Sequence, residues 1–92
     1  MKYIFIRIED PDDAENVREL PFVFPNEVVH DDMFKVIKAL PEFDNCKVTI
    51  ASAGIYTPGN QTCTGISTSL GVSSRERDAE KLNMIDYTHG FI

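Results

Sequence analysis

Cysteine is scarce in this chain of 92 residues, which contains two, Cys46 and Cys63. Two thiols are too few for a scaffold held together by disulfides, and they lack the close pairing of a zinc site. The sequence therefore predicts two free thiols in a reducing compartment, and it excludes the class of small disulfide-rich proteins.

Long apolar runs are also missing, since no stretch approaches the ~18–20 residues that a membrane-spanning helix needs. Residues 1–7 meet a charged side chain too early to act as a signal peptide. No repeat, low-complexity tract or linker divides the sequence. We therefore expect a single domain over residues 1–92, located in the cytoplasm and without a membrane partner.

Positive charge is outnumbered, with nine Lys and Arg residues against fifteen Asp and Glu residues and a net charge of −6. Residues 1–45 carry eleven acids and five bases, whereas residues 46–92 carry four of each. A protein that binds nucleic acid normally presents a basic stripe to the phosphates. We therefore expect no direct binding to nucleic acid.

The excess acid is concentrated near the start of the chain, where the candidate partner-binding residues are Asp10, Asp12, Asp13 and Glu15. An acidic patch is attracted to a basic protein surface and can compete with nucleic acid for it. The other explanation is a solvated face that keeps a small protein soluble. The sequence leaves both explanations open.

Alternating apolar residues predict a first strand over residues 3–8, whose two faces both carry bulky side chains. One face has three isoleucines, and the other has Tyr3 and Phe5. This pattern indicates a central strand, or an outer face that is also covered. Residues 10–13 end the strand, because proline cannot donate to a ladder and aspartate favours turns.

Residues 14–20 are compatible with a short helical turn, and residues 21–25 with an extended apolar connector. A helix follows, because apolar residues then recur at helical spacing. Its predicted stripe consists of Val29, Met33, Val36, Ile37 and Leu40. Asn26 or Asp31 can cap the start of this helix, and Pro41 ends it.

Two further strands are predicted over residues 46–56 and 62–72, joined by a tight turn. A three-residue loop, residues 58–60, puts Val48 on the same apolar face as Ile66, which a two-residue loop does not. We therefore expect the three-residue loop.

This register creates an outer sheet face of small side chains, while Cys46 points into the core. The face consists of Ala51, Ala53, Ile55, Cys63, Gly65, Ser67 and Ser69. Another backbone can approach such a surface closely, which predicts a homodimer or a partner interface that Ser67→Arg should abolish without unfolding the protein. The alternative is that residues 10–25 or the C-terminal tail cover the face.

A second helix is predicted after residues 73–76 (SSRE), which match a capping box. Its inward-facing residues are Ala79, Leu82 and Ile85. Arg75 and Arg77 near its start oppose the helix macrodipole, which makes them candidate partner contacts. The predicted order is β-α-β-β-α, an α+β two-layer sandwich with both helices on one face of a small, mostly antiparallel sheet.

The alternative function is a small enzyme or ligand-binding domain, in which Cys63 with His30 or His89 supplies a thiol–imidazole pair. Nothing in the sequence indicates that these side chains meet. Helix capping explains His30 and the two aspartates after it better than a metal site does, because adjacent helix positions do not face each other. Phosphate-binding and calcium-loop patterns are incomplete, so no cofactor is expected.

Residues 24–30 (FPNEVVH), 51–56 (ASAGIY) and 63–79 (CTGISTSLGVSSRERDA) resemble a pattern of small phage and mobile-element proteins. That family has no established enzymatic activity, and small acidic proteins of this kind include inhibitors of host nuclease defences, among them anti-CRISPR proteins. The resemblance implies a role in blocking a basic, nucleic-acid-binding surface, and it assigns no functional residues. We therefore expect a non-enzymatic protein that binds a host protein with a basic surface or associates with itself.

Overall fold

The structure, a computed structural model, describes residues 1–57, 59 and 62–89. In chain order its elements are β1 (Lys2–Asp10), β2 (Asp13–Phe24), α1 (His30–Lys38), a 3-10 turn (Pro41–Phe43), β3 (Lys47–Thr57), β4 (Thr62–Thr64), β5 (Ile66–Ser67), β6 (Val72–Ser73) and α2 (Asp78–His89). The main sheet has the strand order β2-β1-β3-β4, and β5 pairs with β6 in a second sheet. All pairings are antiparallel, and the predicted α+β class is confirmed.

Strand β1 is central, because β2 pairs with one of its edges and β3 with the other. Its most deeply buried side chains, each at most 1% exposed, are Tyr3, Ile4, Phe5, Ile6 and Ile8. Alternation sends the three isoleucines to one face of the sheet, the isoleucine face, and the two rings to the other, the aromatic face. Each face forms an apolar cluster of its own, so the prediction of a central strand covered on both sides is confirmed.

Strand β2 replaces the helical turn predicted over residues 14–20, which is wrong. Residues 21–24 are extended as predicted, but they belong to this strand and not to a connector. The segment folds back along β1 as a long antiparallel strand. Leu20, Phe22 and Phe24 alternate along it and pack with the isoleucine face. A period of two therefore prevails over a helical period, because it buries three large side chains against β1.

The two helices cover opposite faces of the sheet. Helix α1 packs on the isoleucine face through the fully buried Ile37, and α2 packs on the aromatic face through the fully buried Leu82. The expectation that both helices lie on one face is therefore wrong. The physical reason is that β1 carries bulky side chains on both faces, and each face needs a cover.

Helix α1 buries less of its predicted apolar stripe than expected. Ile37 lies in the core, and Met33 and Leu40 pack against its margin. Val36 is 57% exposed, and Val29 is also exposed. The helix therefore reaches the core over a narrower arc than the predicted stripe.

Neither predicted capping residue caps α1. The N-cap position is Val29, which makes no side-chain hydrogen bond to the helix. Asp31 already lies inside the first turn and pairs with Lys35 one turn later, with Nζ and Oδ2 3.1 Å apart. The predicted end of the helix is confirmed, because Pro41 opens the separate 3-10 turn.

The loop between β3 and β4 is longer than predicted. Thr57 pairs with Thr62, so four residues separate the strands and the expected three-residue loop is wrong. Pro58 and Asn60, on which that prediction rested, lie outside the described residues.

The strand predicted over residues 62–72 is broken into three pieces. Gly65 has φ of 91° and Gly71 has φ of 69°, both in the left-handed region that glycine adopts without strain. After Gly65 the chain forms β5, and a turn that ends at Gly71 connects β5 to β6. In this turn the N–H of Gly71 donates to the carbonyl of Ser67 at 2.8 Å. Pairing with β3 in the main sheet therefore stops at Thr64.

Helix α2 begins at Asp78, later than the predicted capping box. Its own carboxylate does the capping, because Oδ2 of Asp78 accepts a hydrogen bond from the N–H of Arg75 at 2.9 Å. This bond has the three-residue spacing of a capping box, displaced by two residues. Leu82 is buried as predicted and Ala79 is half-buried, while the side chain of Ile85 lies outside the described part of the chain.

We expect Gly54→Ala to destabilise the protein by about 1–3 kcal/mol, the usual cost of overpacking. An added Cβ would lie 2.6 Å from the carbonyl oxygen of Thr64 and 3.2 Å from Cβ of Ser74, so the backbone has to move. Gly59→Ala is the matched control, because no atom lies within 4 Å of its Cβ position. Urea unfolding measures both variants, and equal stability of the two would contradict this account.

Candidate functional site

The turn between β1 and β2 carries the acidic residues singled out from the sequence, Asp10, Asp12, Asp13 and Glu15, which we call the acidic tip. Asp10 Oδ1 accepts a hydrogen bond from the N–H of Asp12 at 2.9 Å. Asp13 Oδ1 accepts one from the N–H of Glu15 at 3.2 Å. These local bonds fix the turn, as aspartate side chains commonly do.

The charge of the acidic tip is available to a partner. Three of its four side chains are exposed, and Asp10 is half-buried. Among the described residues, none of the four takes part in an ion pair. Four carboxylates grouped on one turn create a negative field that attracts a basic surface.

Arg75 is engaged inside the protein rather than held out for a partner. Its two terminal nitrogens donate to the carboxylate of Glu19 at 2.8 and 3.2 Å, and its Nε donates to Asp78 at 2.9 Å. The guanidinium also lies 5.5 Å from the centre of the Phe5 ring. Arg75 therefore clamps α2 to the aromatic face, and this corrects its assignment to a partner surface. Arg77 remains exposed, 4.0 Å from Glu19.

The same network shifts the pKa values of its members. Hydrogen bonds from Arg75 hold the pKa of Glu19 at about 2, although partial burial opposes this. The bond to Glu19 raises the pKa of Arg75 further. Burial, then the 2.7 Å hydrogen bond to Asp78, raises the pKa of Tyr3, so its hydroxyl stays a donor.

The predicted flat face of small residues does not exist as one surface. The pairing of β1 with β3 shifts register at Ala51, so Ala51 packs with the aromatic face and Ala53 is buried on the isoleucine face. Ser67 is 1% exposed, and its Oγ accepts a hydrogen bond from the N–H of Leu70 at 3.4 Å. Gly65 and Ser69 are exposed. The interface predicted on this face therefore lacks its central residue.

Of the two proposed thiol–imidazole pairs, the one between Cys63 and His30 is not formed. Nε2 of His30 lies 3.0 Å from the carbonyl oxygen of Gly54, and its ring stacks edge-on against Phe24 on the isoleucine face. Cys63 packs on the aromatic face, where burial raises the pKa of its thiol to about 11 although a hydrogen bond with Tyr3 opposes this. A thiol protonated at neutral pH is a poor nucleophile.

Two remaining predictions concern the histidine and cysteine residues. The side chain of His89 lies outside the described part of the chain. Cys46 and Cys63 are both free, as predicted. Cys46 lies against the core of the isoleucine face and Cys63 on the opposite side of the sheet.

Sequence reasoning missed three residues that organise this part of the molecule: Tyr3, Glu19 and Asp78. No local pattern distinguishes Glu19 from the other acids of the first half, because its partner Arg75 lies 56 positions away in the sequence. One signal was present, because an arginine at the positive end of a helix needs a compensating acid. Asp78, fully buried and three residues after Arg75, supplies one of the two.

Comparisons of the chain with protein-family models, with curated proteins and with solved structures return no match. Over the described residues the surface contains no enclosed pocket, and no group of three or more metal-ligating side chains occurs there. In that same part of the chain, neither helix has the length and apolar character needed to cross a membrane. The acidic tip is therefore the candidate site that the geometry itself presents.

The free energy of unfolding should depend on the protonation of Glu19. Its pKa lies below the ordinary value of 4.5, so the stabilisation is fully present above about pH 4.5 and is lost as the pH falls towards about 2. Glu19→Gln should lower the free energy of unfolding by about 1–3 kcal/mol at pH 7, with some loss to solvent screening. Urea unfolding from pH 7 to pH 2 should show this difference closing at low pH. Glu15→Gln is the control at an exposed position. A difference in unfolding free energy between Glu19→Gln and the wild type that stays constant with pH would contradict the lowered pKa of Glu19.

Ser67→Arg should now unfold the protein rather than leave it intact. The substitution places an unpaired charge at a position that is 1% exposed, which costs roughly 3 kcal/mol or more. Thr68→Arg is the matched control at the exposed neighbouring position. Circular dichroism with thermal melting compares the two variants. A well-folded Ser67→Arg protein with an unchanged melting temperature would restore the flat-face prediction.

Proposed function

We propose that the protein is a non-enzymatic interaction protein, of phage or mobile-element origin, that binds a basic surface of a host protein. The observation that carries this proposal is the acidic tip: four grouped carboxylates, three of them exposed, that are locally ordered and free of ion pairs among the described residues. The origin rests on the sequence resemblance alone.

The tip is mounted on a rigid support. The strand that leads into it, β1, is buried on both faces and paired on both edges. A preorganised turn loses little conformational entropy on binding, so more of its electrostatic attraction reaches the binding free energy. A flexible acidic tail would not have this advantage.

The basic surface that such a tip fits is one that also binds nucleic acid. Lys and Arg side chains arranged for phosphates attract carboxylates for the same electrostatic reason. An acidic protein bound there excludes nucleic acid by competition. The resemblance to small phage and mobile-element proteins, and not the charge, points to a nucleic-acid-binding defence complex of the host, such as a CRISPR effector, as the proposed target.

Exposed ion pairs contribute only about 0.2–1 kcal/mol each, so the tip alone supplies association rate and orientation more than affinity. Binding should accordingly weaken as salt screens the charges. Two copies of the chain repel one another through the same surface, so self-association through the tip is disfavoured.

The proposal predicts that the protein displaces fluorescent target DNA from a CRISPR effector complex and that the tip is required. In the tip variant, Asp10, Asp12 and Asp13 become Asn and Glu15 becomes Gln. Asparagine keeps the side-chain oxygen that accepts the turn hydrogen bonds, so charge is lost and the turn is kept. Fluorescence anisotropy over a panel of purified effectors should show displacement by the wild type and a loss of about tenfold or more for the variant.

The matched control removes four exposed acids elsewhere, through Glu27→Gln, Asp32→Asn, Glu42→Gln and Asp44→Asn. It has the same net charge as the tip variant and should displace DNA like the wild type. An equal loss of DNA displacement in both variants would show that the effect depends on net charge and not on the acidic tip. Failure of the wild type against every effector would remove the CRISPR target from the proposal.

A further inference from the structure

The outer edge of β2 is open. In the main sheet β2 pairs with β1 alone, and within the described residues no strand pairs with its other edge. The strand is 12 residues long, which is more than most edge strands expose. An open edge presents unpaired backbone N–H and C=O groups, to which an extended segment of another chain can pair.

Pro21 identifies which backbone groups point outward. It pairs with Phe5, and because it has no N–H it fits only where its nitrogen faces away from the neighbouring strand. The register is continuous from residue 17 to residue 24, so the direction alternates at every residue. The outward-facing amides are therefore those of Val17, Glu19 and Val23.

The charged residues beside this edge determine which kind of segment can pair with it. Residues 10–19 contain one base, Arg18, and five acids, of which Glu19 is paired with Arg75 and the other four form the acidic tip. A second copy carries the same net charge of −6, so pairing of β2 with β2 of a second copy is opposed by repulsion. An extended segment rich in lysine or arginine is attracted instead.

We propose that β2 binds a basic, extended segment of the partner protein as an added strand, with the acidic tip attracting its charges. This inference rests on the proposed function and names the mode of binding. Backbone hydrogen bonds then supply the affinity that exposed ion pairs do not.

The test uses a peptide probe of about eight alternating Lys and Thr residues, a length typical of a strand. Amide chemical-shift changes should centre on Val17, Glu19 and Val23. The same peptide with every second backbone nitrogen methylated keeps its charge but loses one row of hydrogen bonds, and it should bind about tenfold more weakly or worse. Equal binding of the two peptides, or shifts confined to residues 10–15, would overturn the proposal.

Val17→Pro removes one outward N–H and leaves the bonds to β1 in place, so it should fold and bind the peptide about tenfold more weakly. Val17→Ala is the control, because it removes the 40% exposed side chain and keeps the N–H. If Val17→Pro fails to fold, the methylated peptide still decides the question on the wild type. Equal binding by Val17→Pro and Val17→Ala would count against an added strand.

Two further readouts separate the alternatives. If light scattering shows a dimer and the Val17→Pro variant is a monomer, a second copy occupies the edge and this proposal is wrong. If Val17→Pro displaces DNA from the effector as well as Val17→Ala does while the tip variant fails, the edge proposal falls and the proposed function stands. If no effector responds but the peptide binds β2 as described, the proposed target falls and the edge site stands.

Discussion

The fold depends on one constraint, which is that β1 carries bulky side chains on both of its faces. Tyr3 and Phe5 stand on one side and three isoleucines on the other, and all five are essentially buried. No single layer of helices can cover both sides, so the chain places α1 on one face and α2 on the other. The sheet is the middle layer of the molecule.

The two covers are held by different forces. Helix α1 and the segments around it join a broad apolar cluster, whereas α2 contributes one fully buried apolar side chain, Leu82, among its described residues. The polar network of Tyr3, Asp78, Arg75 and Glu19 compensates for this narrow contact by binding the start of α2 to β1 and β2. Because Asp78 is fully buried, the network also fixes a unique position for the helix, since any other position would leave that carboxylate without its donors.

The fold was predictable where the pattern was local. The alternation in β1, the stop at Pro41 and the free thiols all depend on residues close in sequence or on simple counts, and they agree with the structure. The strand character of β2 was hidden by Pro21 and by acids typical of loops, although Leu20, Phe22 and Phe24 alternate. The ion pair of Glu19 with Arg75 joins positions that are far apart in the sequence. It depends on burial that only the complete fold creates. Within the candidate site, the acidic tip was predictable from composition, whereas its ordered geometry was not.

Along β2 and the turn before it, the acid that stabilises the fold is separate from the acids that remain available to a partner. β2 gives one edge to β1 and turns Glu19 towards Arg75 on the aromatic face, where Lys81 also approaches to 3.3 Å. These contacts use the acid that lies over α2. The four acids of the acidic tip make no ion pair within the described residues. The same strand that anchors α2 through Glu19 therefore also carries the acidic tip and an edge that no described strand pairs with, and β1 supports both.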